Sequence, residues 1–196
     1  MPSNEPPDYP PGPMLSALGI LHGEHRSLVS VLQALRRFVR PLCDNKVKPD
    51  CEAFVEIVSY IETFADRFHH PKEDEFLFLA LRNRTRHADG FLRDLQQEHA
   101  AGPAELDALK MALLRTGGGG VTEIQDFALR LDRYVRGQEE HLRKEEDIVI
   151  PIARQVLAAA DWEDIDRAFH AHRDPFFGIG AAGPIGSLIP RAVGPT

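Results

Sequence analysis

Cysteine, long apolar runs and clustered basic residues are all scarce in this chain, and each scarcity closes off a class of protein. Two cysteines occur, Cys43 and Cys51, on either side of a short loop. Two thiols outside a CxxC arrangement cannot build a structural zinc site, and we read them as reduced. No apolar run approaches the ~20 residues of a membrane span. The first residues, MPSNEPPDYPPGP, lack the basic start and apolar core of a signal peptide. A cytoplasmic protein without a membrane partner is therefore expected. Basic residues stay interleaved with acids, as in LRNRTRHADGFLRD, and the formal net charge is −7, which argues against nucleic acid as a partner. No stretch alternates at period two for long enough to make a strand. The run TGGGG at 116–120 lacks the Lys-Ser/Thr ending of a phosphate loop, and no nucleotide motif or nucleophilic triad is present.

What the chain does have is helical periodicity. At 196 residues it suits one well-buried domain. Residues 1–13 are rich in proline and predict a disordered arm, residues 14–178 a helical-bundle domain, and residues 179–196 an irregular tail. Leu18, Leu21, Leu28, Leu32 and Leu35 keep three-and-four spacing and predict a first helix, stopped at Pro41. A second helix is expected over 51–84, with Asp50 as N-cap and a stripe of Phe54, Ile57, Ile61, Phe64, Phe68 and Phe76. Pro71 should bend it. A third helix spans about 90–114, kinked or broken at Gly102-Pro103, and a fourth about 121–158, bent or ended at Pro151. Asp161 is expected to cap a short fifth helix. The fold class is thus all-α: an antiparallel up-down-up-down four-helix bundle with a short fifth C-terminal helix and irregular tails.

Two stretches inside this pattern repeat each other. Superposing HHPKEDEFLFLAL at 69–81 on HLRKEEDIVIPIA at 141–153 aligns His69 with His141 and Glu73 with Glu145. A histidine four residues before a carboxylate is one turn and about 40° away, so both side chains leave one helix face. The repeat extends to EHRSLVSVLQAL at 24–35 and EHAAGPAELDAL at 98–109, which aligns His25 with His99. Two tandem helix hairpins therefore bring His25, His69, Glu73, His99, His141 and Glu145 toward one core. Mixed imidazole and carboxylate donors without thiolate suit iron or manganese, with zinc also accommodated, and an open position suits a small molecule such as dioxygen. The ferritin-like alternative needs Glu three residues before His. Asp66, Gln96 and Gln138 occupy those places, so it is disfavoured.

The doubled HxxxE pair, each copy preceded by a helix bearing EH, together with HHPKED and the closing DW…DPFFG segment, resembles the hemerythrin-like (HHE cation-binding) family over roughly 15–178. The resemblance implies a four-helix bundle with two iron ions joined by an oxo or hydroxo bridge. It also implies binding of, or reaction with, O2, hydrogen peroxide or NO. Its metal ligands would be the same six residues. An iron or redox sensor whose folding depends on the metal is the alternative, and enzymatic turnover of peroxide or NO a further one. Hemerythrins that carry oxygen use five histidines, two of them one turn apart on the third helix, and here that extra position, 95, is Leu. His22, His70 and Tyr134 are the additional or outer candidates. His70 allows HHPKED to be read in a second frame, but the repeat favours His69 with Glu73, since no histidine follows His141. Glu24 and Glu98 read as outer acceptors or solvated charges, and KEEDI as a solvated face apart from Glu145. His87, His170 and His172 read as surface or packing residues, the last two near enough to cap the site.

Overall fold

The computed structural model describes residues 12–43 and 49–171. The proline-rich arm as far as residue 11, the loop 44–48, His172 and the expected tail from 179 lie outside the described residues. So does the Cys43 side chain.

Among the described residues the chain forms five helices and no strand. Helix α1 runs Pro13–Cys43 and carries Pro41 in its last turn, two residues beyond the predicted stop. Helix α2 covers 51–84. Asp50 caps it, its carboxylate accepting the Ala53 N–H at 3.1 Å, as the local sequence predicts. Helix α3, Asp89–Arg115, passes through Gly102-Pro103 without a break. The proline costs only the donor that the His99 carbonyl would otherwise receive. A 3₁₀ turn, Thr116–Gly118, follows, and Gly119 takes a left-handed φ of 72° that favours glycine. Helix α4 covers 121–156, and Pro151 does not end it. Helix α5 is Ala159–Ala171. Asp161 lies in its first turn rather than at the cap, accepting the Ala158 N–H at 2.8 Å and a two-pronged bond from Arg84 of α2.

Helices α2 and α4 widen locally into π-helix. The wide stretches Ile61–His69 and Glu145–Val149 each end two residues before a proline, Pro71 or Pro151, and a third, Glu73–Phe78, follows in α2. The wider turn changes which residues face inward. Phe64, His69, Glu73 and Phe78 are buried, at spacings of five, four and five, whereas Phe68 and Phe76 are 40% and 37% exposed. The 3.6-residue stripe drawn through Phe68 and Phe76 therefore fails, because the i→i+5 bonding of π-helix takes more residues per turn than the α-helix does.

Helix α1 packs on α4 and α5, and α3 packs on α4 and on the wide stretch of α2. The buried apolar residues form two separate clusters. One holds Phe38, Phe54, Phe64, Phe127 and Leu131 among others; the second holds Leu21, Phe78, Leu92, Val149, Trp162 and Phe169 among others. Between them lies a layer of buried histidines and carboxylates, interrupting the hydrophobic core.

Candidate metal centre

Each helix of the two tandem hairpins contributes to that layer. His25 comes from α1, His69 and Glu73 from α2, His99 from α3, and His141 and Glu145 from α4. All six are buried. Their donor atoms converge. His25 Nε2 lies 3.4 Å from both Glu73 Oε1 and Glu145 Oε2. His69 Nε2 is 3.5 Å from Glu73 Oε2, and His141 Nε2 is 3.2 Å from Glu145 Oε1. His99 Nε2 stands 3.8 Å and 3.7 Å from the same two carboxylates, and 3.1 Å from His141 Nε2.

The donors sort into two groups, each with atoms mutually within 4.8 Å: His25, His69, Glu73 and Glu145 in one, and His70, His99 and His141 in the other. His70, which the favoured reading frame set aside, thus joins the second group, its ring stacked on His99 at 4.2 Å. Its counterpart in the repeat is Leu142, so the two halves differ here. His22 and Tyr134 belong to neither group. His22 is half-buried and meets Glu146 at 3.0 Å, while Tyr134 is buried. His170 meets Ser16 at 2.9 Å, tying α5 to α1, and His87 meets Thr85 on the surface.

Every inward imidazole has a carboxylate near its outer nitrogen. His25 Nδ1 donates to Glu146 at 2.6 Å, His69 Nδ1 to Glu24 at 2.8 Å, His99 Nδ1 to Asp74 at 3.1 Å, and His141 Nδ1 to Glu98 at 2.8 Å. His70 Nδ1 lies 3.4 Å from Asp66. Such partners hold a ligand imidazole in one tautomer and orientation. Glu146 is therefore part of the site, not the solvated charge read from KEEDI. A signal for these partners was present: both EH pairs and both acidic residues after Glu73 and Glu145 recur in register.

The centre demands positive charge. Burial opposes the charged form of His25, yet Glu146, Glu73 and Glu145 push its pKa up to about 10. Burial likewise opposes His141 and His99, and their carboxylate neighbours raise them to about 10 and about 9. His69 is driven down to about 3, chiefly by burial, with His25 and His70 adding to the effect. Burial pushes Glu145 up, but His141, His99 and His25 outweigh it and hold the carboxyl well below its usual range. Burial also raises the Tyr134 hydroxyl. Among the buried atoms lacking a hydrogen-bond partner are His69 Nε2, Glu73 Oε2 and both Glu145 oxygens, all in this layer. Buried polar atoms ordinarily find partners, so these orphaned atoms, one imidazole nitrogen and three carboxylate oxygens, fit a site for a metal cation.

A cavity of about 20 Å³ adjoins the site, lined by Leu28, Val31, Leu142, His70, His141 and Tyr134 among others. That is space for a molecule about the size of water. Tyr134 also lines a surface groove of about 260 Å³ with Glu105, Leu109, Arg130 and Arg133.

The hemerythrin HHE cation-binding domain model matches residues 16–153. Similar proteins include uncharacterized proteins of Mycobacterium bovis and Mycobacterium tuberculosis, each 24% identical over 155 residues, covering 79% of this chain and 60% of the relative. The chain thus spans about three fifths of the length of these curated relatives. No solved structure matches it. The helical bundle, its paired histidine-carboxylate groups and the extent of this match lead to one conclusion: the chain belongs to the hemerythrin family of HHE cation-binding domains.

Proposed function

We propose that this chain is a non-haem di-iron protein that binds or reacts with dioxygen, peroxide or nitric oxide inside an antiparallel up-down-up-down bundle over residues 14–178. One observation carries the reading: two duplicated histidine-carboxylate pairs aim unsatisfied, buried donor atoms at a common centre. His25 and His69 would hold one ion, His70, His99 and His141 the other, with Glu73 and Glu145 between them. Nitrogen and oxygen donors without thiolate favour iron, with manganese or zinc as alternatives. When bound, a ferrous pair supplies electrons to a small ligand. The chain's own residues do the rest. Leu142, standing where the repeat would place a second His70, leaves the His25/His69 side with one imidazole fewer. The adjoining cavity, walled by Leu28, Val31, Leu32 and Leu142 beside His70 and His141, leaves room for only a very small ligand. A reducing, cytoplasmic setting fits the exposed free thiol of Cys51.

The test is metal content and the optical spectrum of anaerobically purified protein before and after air, alongside His69→Ala and His141→Ala. Two irons per chain, with a near-ultraviolet band that appears in air and is lost in both variants, is the expected result. Failure to take up metal under any condition would sink the proposal, and two zincs with no response to air would remove the oxygen chemistry. A second reading, a metal-dependent sensor, draws on the polar layer that divides the core, since its buried charges weaken the bundle without metal. Chelation at ambient temperature separates the two: a sensor loses helix or changes partner, while a carrier keeps its helix and loses its colour. Added peroxide, followed for turnover, tests the enzymatic alternative.

A further inference from the structure

The repeat places a lysine three residues after His69 and again three residues after His141. Both lysines close the same three-residue chain. Glu24 accepts from His69 Nδ1 at 2.8 Å with one oxygen and from Lys72 Nζ at 2.5 Å with the other. Glu98 does the same for His141 Nδ1, at 2.8 Å, and for Lys144 Nζ. The connectivity is equal but the surroundings are not. The Glu24 and Lys72 side chains are 0% and 3% exposed, whereas those of Glu98 and Lys144 are 37% and 25% exposed. Lys72 also lies over the ring of Phe169, 5.3 Å from its centroid, so α5 covers it.

We propose that Lys72 is a positioning residue that acts on His69 through Glu24, and that Lys144 has no comparable effect on His141. A carboxylate at the surface is held and compensated by water as well as by its lysine, so Glu98 loses little without Lys144. A carboxylate sealed from water depends on a buried cation. Glu24 is therefore a firm acceptor for His69 only while Lys72 is present. The two halves of the duplicated centre thereby hold their metals through unequal supports, one rigid and dry, the other soft and wet. This inference rests on the di-metal reading above.

Cobalt(II) binding to the full chain, followed by its visible spectrum and by competition with a chelator, tests it without any assay of oxygen chemistry. The parent is expected to take two equivalents. Lys72→Met should weaken one of them about 10-fold or more, the size usual for loss of an outer support, and leave the other unchanged. Lys144→Met should leave both within about threefold. In a Glu24→Gln background, whose neutral amide oxygen can still accept from His69, Lys72→Met should cost nothing further. If Lys72→Met alone fails to fold, the comparison of Glu24→Gln with Glu24→Gln/Lys72→Met decides the matter. Equal losses from the two lysine variants, no loss from either, or a Lys72 effect that persists beside Gln at 24 would overturn the proposal. A parent that takes up no cobalt would instead defeat the di-metal reading itself.

Discussion

His70 and His69 are neighbours in the sequence, yet they fall into different donor groups, because successive residues on a helix diverge by about 100°. His70→Ala should therefore weaken one of two metal equivalents by more than tenfold, while His22→Ala, which removes only a half-buried contact to Glu146, should change either by less than about threefold. Isothermal titration with zinc would read both, and equal effects would contradict the grouping. The raised histidines set a pH dependence. His25, His99 and His141 have folded pKa values of about 9 to 10, above the ordinary value of about 6.5. Their contribution to the stability of metal-free protein is complete below about pH 6.5 and is lost as pH rises through 9 to 10. Chemical denaturation of chelated protein should thus show falling stability from neutral to alkaline pH. Metal uptake should release protons and strengthen over the same range. The six candidate ligands were picked out by pattern, four as two HxxxE pairs and two as the histidines of two EH pairs. His70 stood only among the additional candidates, since the repeat has no second copy of it to count, and Asp66 carried no pattern at all.

At the scale of the element, the π-helical stretches explain both what the helical periodicity revealed and where it failed. It located α1, α2 and α4 because their ends carry ordinary helical spacing, with Asp50 as a readable cap. It misplaced Phe68 and Phe76 because the wide turns rotate the inward face, and single-residue widening leaves little compositional trace. It allowed for breaks at Pro103 and Pro151 that do not occur, since packing on neighbouring helices outweighs one missing hydrogen bond. The shifted register has a measurable consequence. Phe78→Ala should cost about 3–5 kcal/mol in urea unfolding, whereas Phe76→Ala should cost less than about 1 kcal/mol. A reversed order would show that the inward face follows the 3.6-residue stripe after all.

At the scale of the whole molecule, the polar layer separates two apolar clusters, so the bundle lacks a continuous hydrophobic column to hold its halves together. Metal binding should supply the missing cohesion. A ligand present at about a thousandfold over its dissociation constant stabilises by about 4 kcal/mol. Thermal melts should accordingly shift upward by several degrees with added metal and fall again with chelator. A melting temperature indifferent to metal would mean that the layer is stable on its own ion pairs.

The duplicated hairpins brace each other crosswise: Glu146 of the second orients His25 of the first, and Asp74 of the first orients His99 of the second. Neither half can finish a centre alone, so a separated hairpin could do so only by pairing with another hairpin. Two copies of the first hairpin would make a symmetric dimer with His70 on both sides. Such a dimer would carry a histidine where this chain has Leu142, and so an equal set of imidazoles around each group of donors.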